Sequence, residues 1–131
     1  MEYLVGLILA LAVGGLAALV GMDRDRAFYP TVLIVSASYY VLFAVMGASR
    51  QTLAIEIAVA SGFSALAVLG FSKNLWYAAA AIVGHGVFDF GHHWLIENPG
   101  VPRWWPGFCL AFDVAFGGLL VARLIGRYAR A

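Results

Sequence analysis

Apolar runs of about twenty residues alternate along the whole chain with four short breaks that carry charge or proline: MDRDR at 22–26, GASRQ at 47–51, FSKN at 71–74 and ENPGVPRWWP at 97–106. A helix needs roughly 20 mainly apolar residues to cross a bilayer. The pattern therefore predicts five transmembrane helices, near 3–21, 27–48, 52–71, 75–96 and 105–125, forming one all-α bundle and a single domain over residues 1–131. The first run begins with the acidic Glu2 and exceeds the ~7 to 15 apolar residues of a secretory signal, so a retained span is expected there.

Composition agrees with this pattern. Hydrophobic residues make up 63% of the chain and charged residues 11%, against roughly 25% charged in a soluble domain. A net charge of +1 gives no electrostatic basis for a nucleic-acid partner. The expected surroundings are the lipid bilayer of a cell (inner) membrane, and any small-molecule partner is expected to be lipid-soluble. The single cysteine, Cys109, excludes an internal disulfide and is expected to be a small core residue.

Lys and Arg near span ends are retained on the cytoplasmic side. Arg24, Arg26, Lys73, Arg123, Arg127 and Arg130 fall on one side and only Arg50 and Arg103 on the other. This asymmetry predicts an outside N-terminus and a cytoplasmic C-terminus. Tyr3, Trp104 and Trp105 then belong to the outer aromatic belt, and Tyr29, Trp76, Tyr77 and Tyr128 to the inner one. Gly6, Ala10, Gly14 and Ala18 recur every fourth residue and predict a ridge for close helix approach, either within the chain or between copies in a homo-oligomer.

Most of the chain's candidate chemistry sits in the fourth run, where HGVFDFGHHW holds all three histidines and an aspartate. At about 100° per residue, His85, Asp89, His92 and His93 share an arc of roughly 100°. Trp76, Val83, Val87, Phe90 and Trp94 take the other side and suit lipid. Counting about 1.5 Å per residue from the outer ends, Asp89 and Asp113 come out level. Glu56 falls near His92 and His93, and Tyr40 near Asp89. Ser36 shares a face with Tyr39 and Tyr40, and Cys109 shares one with Asp113.

Ionisable groups within a bilayer are costly unless paired, hydrated or bound to an ion, so four helices bringing such groups to one outer slab predict a site. The leading expectation is a divalent metal, zinc or iron, held by His85, Asp89, His92, His93 and Asp113, because imidazole and carboxylate at i, i+3 and i, i+4 can converge from one helix face. In this picture Asp113 is a fourth ligand or orienting base, Glu56 a proton shuttle and Tyr40 a cofactor-contacting residue. Hydrolysis of a lipid-soluble substrate would follow. The alternatives are a proton-coupled transporter or channel subunit, a haem or quinone pocket with one axial histidine, and a satisfied polar network that only fixes helix packing.

Three resemblances accompany these residues. The run from Asp89 to His93 is similar over five residues to the H-x-x-H-H box of membrane desaturases and hydroxylases; that family needs several boxes, and no histidine lies outside this stretch. Ser36 and Asp113 resemble in kind the serine and aspartate of intramembrane zinc hydrolases of the alkaline ceramidase type, whose histidines come from separate helices. His85, Gly86, Asp89, His92 and His93, followed by NPGVPRWWPGFC and Asp113, resemble small bacterial multi-span membrane proteins of unknown function carrying H-G-x-x-D-x-x-H-H. That resemblance implies no activity. The proline-rich connection itself predicts either a plain interfacial turn or a stiff cover that holds Asp113 against Asp89.

Overall fold

A computed structural model describes the backbone of residues 1–130 and the side chains of residues 1–126. The side chains of Arg127, Tyr128 and Arg130, which entered the charge and aromatic expectations above, lie outside the described residues. Five helices follow one another: α1 (Glu2–Val20), α2 (Phe28–Gly47), α3 (Arg50–Ser72), α4 (Leu75–Leu95) and α5 (Trp105–Arg130), with a 3-10 turn at Met22–Arg24. Among the described residues there is no strand. The helix bounds lie within about three residues of the expected ones, except that α5 runs on to Arg130.

α1, α2, α3 and α5 are long and apolar enough to cross a membrane. α4, with 21 residues, has the length, about 31 Å at 1.5 Å per residue. Its second half dilutes the apolar character with His85, Asp89, His92 and His93.

The local signals that bound the helices are specific. Gly21 ends α1 with φ 84°, a left-handed conformation that only glycine enters without strain. Ser49 accepts from the Thr52 amide at 3.2 Å to open α3, and Asn74 accepts from the Trp76 amide at 3.0 Å to open α4. Replacing Asn74 by Ala is expected to lower stability by about 1 kcal/mol, measurable as a small shift in the thermal or SDS-induced unfolding of the detergent-solubilised protein.

Helices alternate in direction, which defines two ends of the bundle. The α2–α3 and α4–α5 connections share one end, here the upper, where Thr52 Oγ1 donates to the Glu97 carbonyl at 3.1 Å. At the lower end Arg26 donates to the Phe71 carbonyl at 2.9 and 3.0 Å, and Arg123 pairs with Asp23. α5 lies between α1 and α4; α4 also packs on α3 and α2, and α2 pairs with α3.

Inside lipid the hydrophobic effect gives helices little reason to associate, so close packing of small residues carries much of the contact. Gly6 and Gly14 face α5: a Cβ on Gly6 would collide with the Phe108 carbonyl, and one on Gly14 with Leu119. Gly6, Ala10 and Gly14 are thus buried within the chain, while Ala18 is exposed and Ala17 takes its place. Steps of four residues advance about 40° each, so Ala18 has rotated off the seam and Ala17 has not. A Cβ on Gly70 would similarly stand 2.7 Å from Ala78, so the glycine lets the lower end of the α3–α4 hairpin close.

The lower half of the bundle is an apolar core of Leu33, Ile82, Phe116 and Leu120, with alanines of α4 between them. A smaller cluster of Tyr40, Phe43, Trp105 and Cys109 fills the upper half on the α2–α5 side. Trp105 was expected in an aromatic belt. It is instead 8% exposed, held edge-on by Tyr39 and Phe43, while Trp104 stays half exposed.

Candidate metal centre

α4 brings its polar face to α5 because Gly86 lets the two backbones meet. A Cβ at Gly86 would stand 2.7 Å from the Asp113 Cβ and 3.5 Å from the carbonyls of Cys109 and Leu110. One residue before that contact, His85 Nδ1 lies 2.8 Å from Asp113 Oδ2; it is also 3.2 Å from Asp89 Oδ2 one turn later on its own helix. All three side chains are buried, and they offer donor atoms within 4.8 Å of one another. Donors bound to one ion at ~2.1 Å stand roughly 3 to 3.5 Å apart, so this group can hold a metal ion with little movement.

Asp89 is fully buried, and apart from the 3.2 Å approach of His85 Nδ1 to Oδ2 its oxygens make no well-aligned hydrogen bond among the described residues; the Tyr40 hydroxyl is likewise without one. Leaving a buried polar atom unpaired costs about 1–3 kcal/mol, and more when it is charged. Asp89 is flanked by Asp113, the Cys109 thiol and the Tyr40 hydroxyl. The ring of Phe63 closes the side toward α3, edge-on to His85 at 4.6 Å between centroids. Two neighbouring carboxylates without a cation between them repel each other strongly in such surroundings. A divalent ion beside a neutral His85 would bring the group to zero net charge.

His92 is placed elsewhere. Its Nε2 lies 2.9 Å from both carboxylate oxygens of Glu56 on α3. Asn98, just past the end of α4, donates to Glu56 Oε2 at 2.9 Å and to the Tyr40 carbonyl at 3.2 Å. The Tyr40 ring stacks on His92, with centroids 3.9 Å apart and planes 15° from parallel. Glu56 and His92 are both buried, so this is an ion-pair or hydrogen-bonded unit with its partners inside the chain.

The expected ligand set is therefore divided. His85, Asp89 and Asp113 come together; His92 joins Glu56; His93 is exposed and packs on Trp94 at 4.2 Å. Tyr40 stands between the two units, its ring against His92 and its hydroxyl beside Asp89. Ser36 lines a groove toward α1 that also touches Cys109 and Asp113. The expected stiff cover fastens to α2 and α3 through Asn98, and Gly100 presses on the Phe43 carbonyl. A cleft of about 600 Å³ opens above His92 between this connection and the upper ends of α1 and α4.

Asn98 and Phe63 were not singled out from the sequence. Phe63 carries a recoverable signal, since it lies seven residues from Glu56, only about 20° round the helix. Asn98 could be read only as a turn residue, because nothing in Asn-Pro-Gly indicates which helix its amide will reach. No family model, curated protein or solved structure matches the chain.

Proposed function

We propose that the chain is a five-span inner-membrane metalloprotein, N-terminus outside, whose His85, Asp89 and Asp113 hold one zinc or iron(II) ion in the upper half of the bundle. The observation that carries this reading is the convergence of His85, Asp89 and Asp113, three buried side chains whose donor atoms lie within 4.8 Å of one another. One imidazole and two carboxylates suit either metal and leave positions open for water or substrate. An ion in this setting supplies an acidic bound water near neutral pH. Hydrolysis of a lipid-soluble substrate is the activity that fits such a water at this depth.

In this reading Asp113 would be a ligand that also orients His85, while Tyr40 stands between this group and the neighbouring unit of Glu56 and His92, its hydroxyl beside Asp89 and its ring on His92.

Elemental analysis of protein purified in mild detergent, with zinc and iron(II) supplied in turn, tests the reading. About one ion per chain is expected in the wild type and in His92→Ala. His85→Ala and Asp89→Asn are expected to lose it while keeping their helical circular dichroism. A wild type that takes up neither ion overturns the metal reading. Equal metal loss in His92→Ala and His85→Ala would overturn the division into two units.

A further inference from the structure

The candidate metal group borders a groove on the outer surface of the bundle. The groove, of about 320 Å³, runs between α1, α2 and α5, walled by Leu9, Val13, Val35, Ser36 and Phe112, and it touches Cys109 and Asp113. Leu9 and Val35 are 42% and 48% exposed on the surface that faces lipid. The groove is almost wholly apolar, yet it touches one of the three metal-binding side chains.

Its upper part carries a second signal. Trp105 lines the same groove, and its buried indole N–H has no hydrogen-bond partner among the described residues. Such a donor is costly in a dry site unless an acceptor arrives from outside the chain. Trp105, Cys109 and Asp113 follow at intervals of four on α5, so the groove is lined in order by an indole, a thiol-bearing residue and a carboxylate-bearing one. Below them lie Val13 and Val32. The polarity falls from the upper end toward the middle of the bundle, as it does along a lipid in the upper leaflet.

We propose that one acyl chain of a bilayer lipid occupies this groove, its ester carbonyl accepting from Trp105 Nε1 and its tail descending past Phe112 to Val13 and Val32. The volume sits at the small end of ligand pockets, which fits a single chain and excludes a whole two-chain lipid. Ser36 and Asp113 then flank the middle of the acyl chain, Asp113 standing roughly 12 Å below Trp105 at about 1.5 Å per residue. The binding stands on the groove alone; only the use of the bound lipid as a substrate rests on the metal reading above.

The test uses the full chain in nanodiscs containing phosphatidylcholine with a photoactivatable diazirine near the ester end of one acyl chain. Peptide mapping is expected to find adducts concentrated on the α1, α2 and α5 residues of the groove. Val35→Trp fills the groove and is expected to reduce those adducts about tenfold, the equivalent of an overpacking penalty near 1.4 kcal/mol. Leu19→Trp, at an 86% exposed position away from the groove, is expected to leave them unchanged. Trp105→Phe, which keeps the ring but removes the donor, is expected to reduce them several-fold.

Adducts spread evenly over the lipid-facing helices, or undiminished in Val35→Trp, would overturn the proposal. So would protein–protein adducts through the groove, which would identify a second copy of the chain as its occupant. Metal content measured on the same samples separates the two readings: groove labelling without metal removes only the metalloprotein, and metal with even labelling removes only the acyl-chain site.

Discussion

Glu56→Ala is expected to destabilise the protein by about 3–5 kcal/mol, the cost of removing one member of a buried ion pair and stranding the other. Glu56 accepts from His92 and from Asn98, so its loss leaves the buried His92 unpaired and removes one of the two ties between the α4–α5 connection and α3, the Thr52–Glu97 contact being the other. The His92 and Asn98 contacts are both 2.9 Å, to a carboxylate 1% exposed, which places the change in the interior. Glu56→Gln keeps an acceptor for Asn98 and is expected to lose only about 1–2 kcal/mol. Unfolding of both variants by SDS or heat in detergent measures the difference. The metal content of Glu56→Gln is expected to equal that of the wild type, because His85, Asp89 and Asp113 are untouched. A variant that unfolds normally but loses its ion would mean that Glu56 belongs to the metal group after all.

Gly86→Ala is expected to have the opposite profile: a moderate loss of stability and a nearly complete loss of metal. The added Cβ falls 2.7 Å from the Asp113 Cβ, so α4 must move away from α5 by several tenths of an ångström or more. Overpacking of this kind costs about 1–3 kcal/mol. Ligand distances tolerate only about 0.2 Å, and the displaced pair is His85 with Asp113 itself. Metal affinity is expected to fall at least tenfold, as it does when the residues that orient ligands are removed. Gly84→Ala provides the control. Nothing lies within 4 Å of its added Cβ, and helix propensity alone would raise stability by up to about 1 kcal/mol. If Gly86→Ala bound the ion as tightly as Gly84→Ala, the contact between α4 and α5 would not set the site's geometry.

Much of this arrangement could be read from helical periodicity. The arc that put His85, Asp89 and His92 on one face is the buried face of α4, and Val87, Phe90 and Trp94 are exposed on the other. Counting rise from the span ends brought Asp89 level with Asp113 and Glu56 near His92, and both pairs of residues are neighbours in the structure. What periodicity could not do was sort four side chains on one face among two neighbouring helices. His85 turns to α5 and His92 to α3, a choice made by which backbone comes close at Gly86 and by where the α4–α5 connection delivers Asn98. His93 sat at the edge of the predicted arc, and an 80° offset was enough to carry it out to the surface. Trp105 was misplaced for a related reason: tryptophan near a span end suits the interface, but here Tyr39 and Phe43 rise from α2 to enclose it.

The polar face of α4 also bears on how the chain is made. Four helices are apolar enough to enter a bilayer by themselves, and α4 is the one that is not. His85 and His92 are buried against Asp113 and Glu56, which arrive from helices on either side of α4 in the sequence. In the five-span reading α4 therefore depends on its neighbours: its polar face is matched only once Glu56 of α3 and Asp113 of α5 both stand beside it, so the last helix of the chain completes the environment of the one before it.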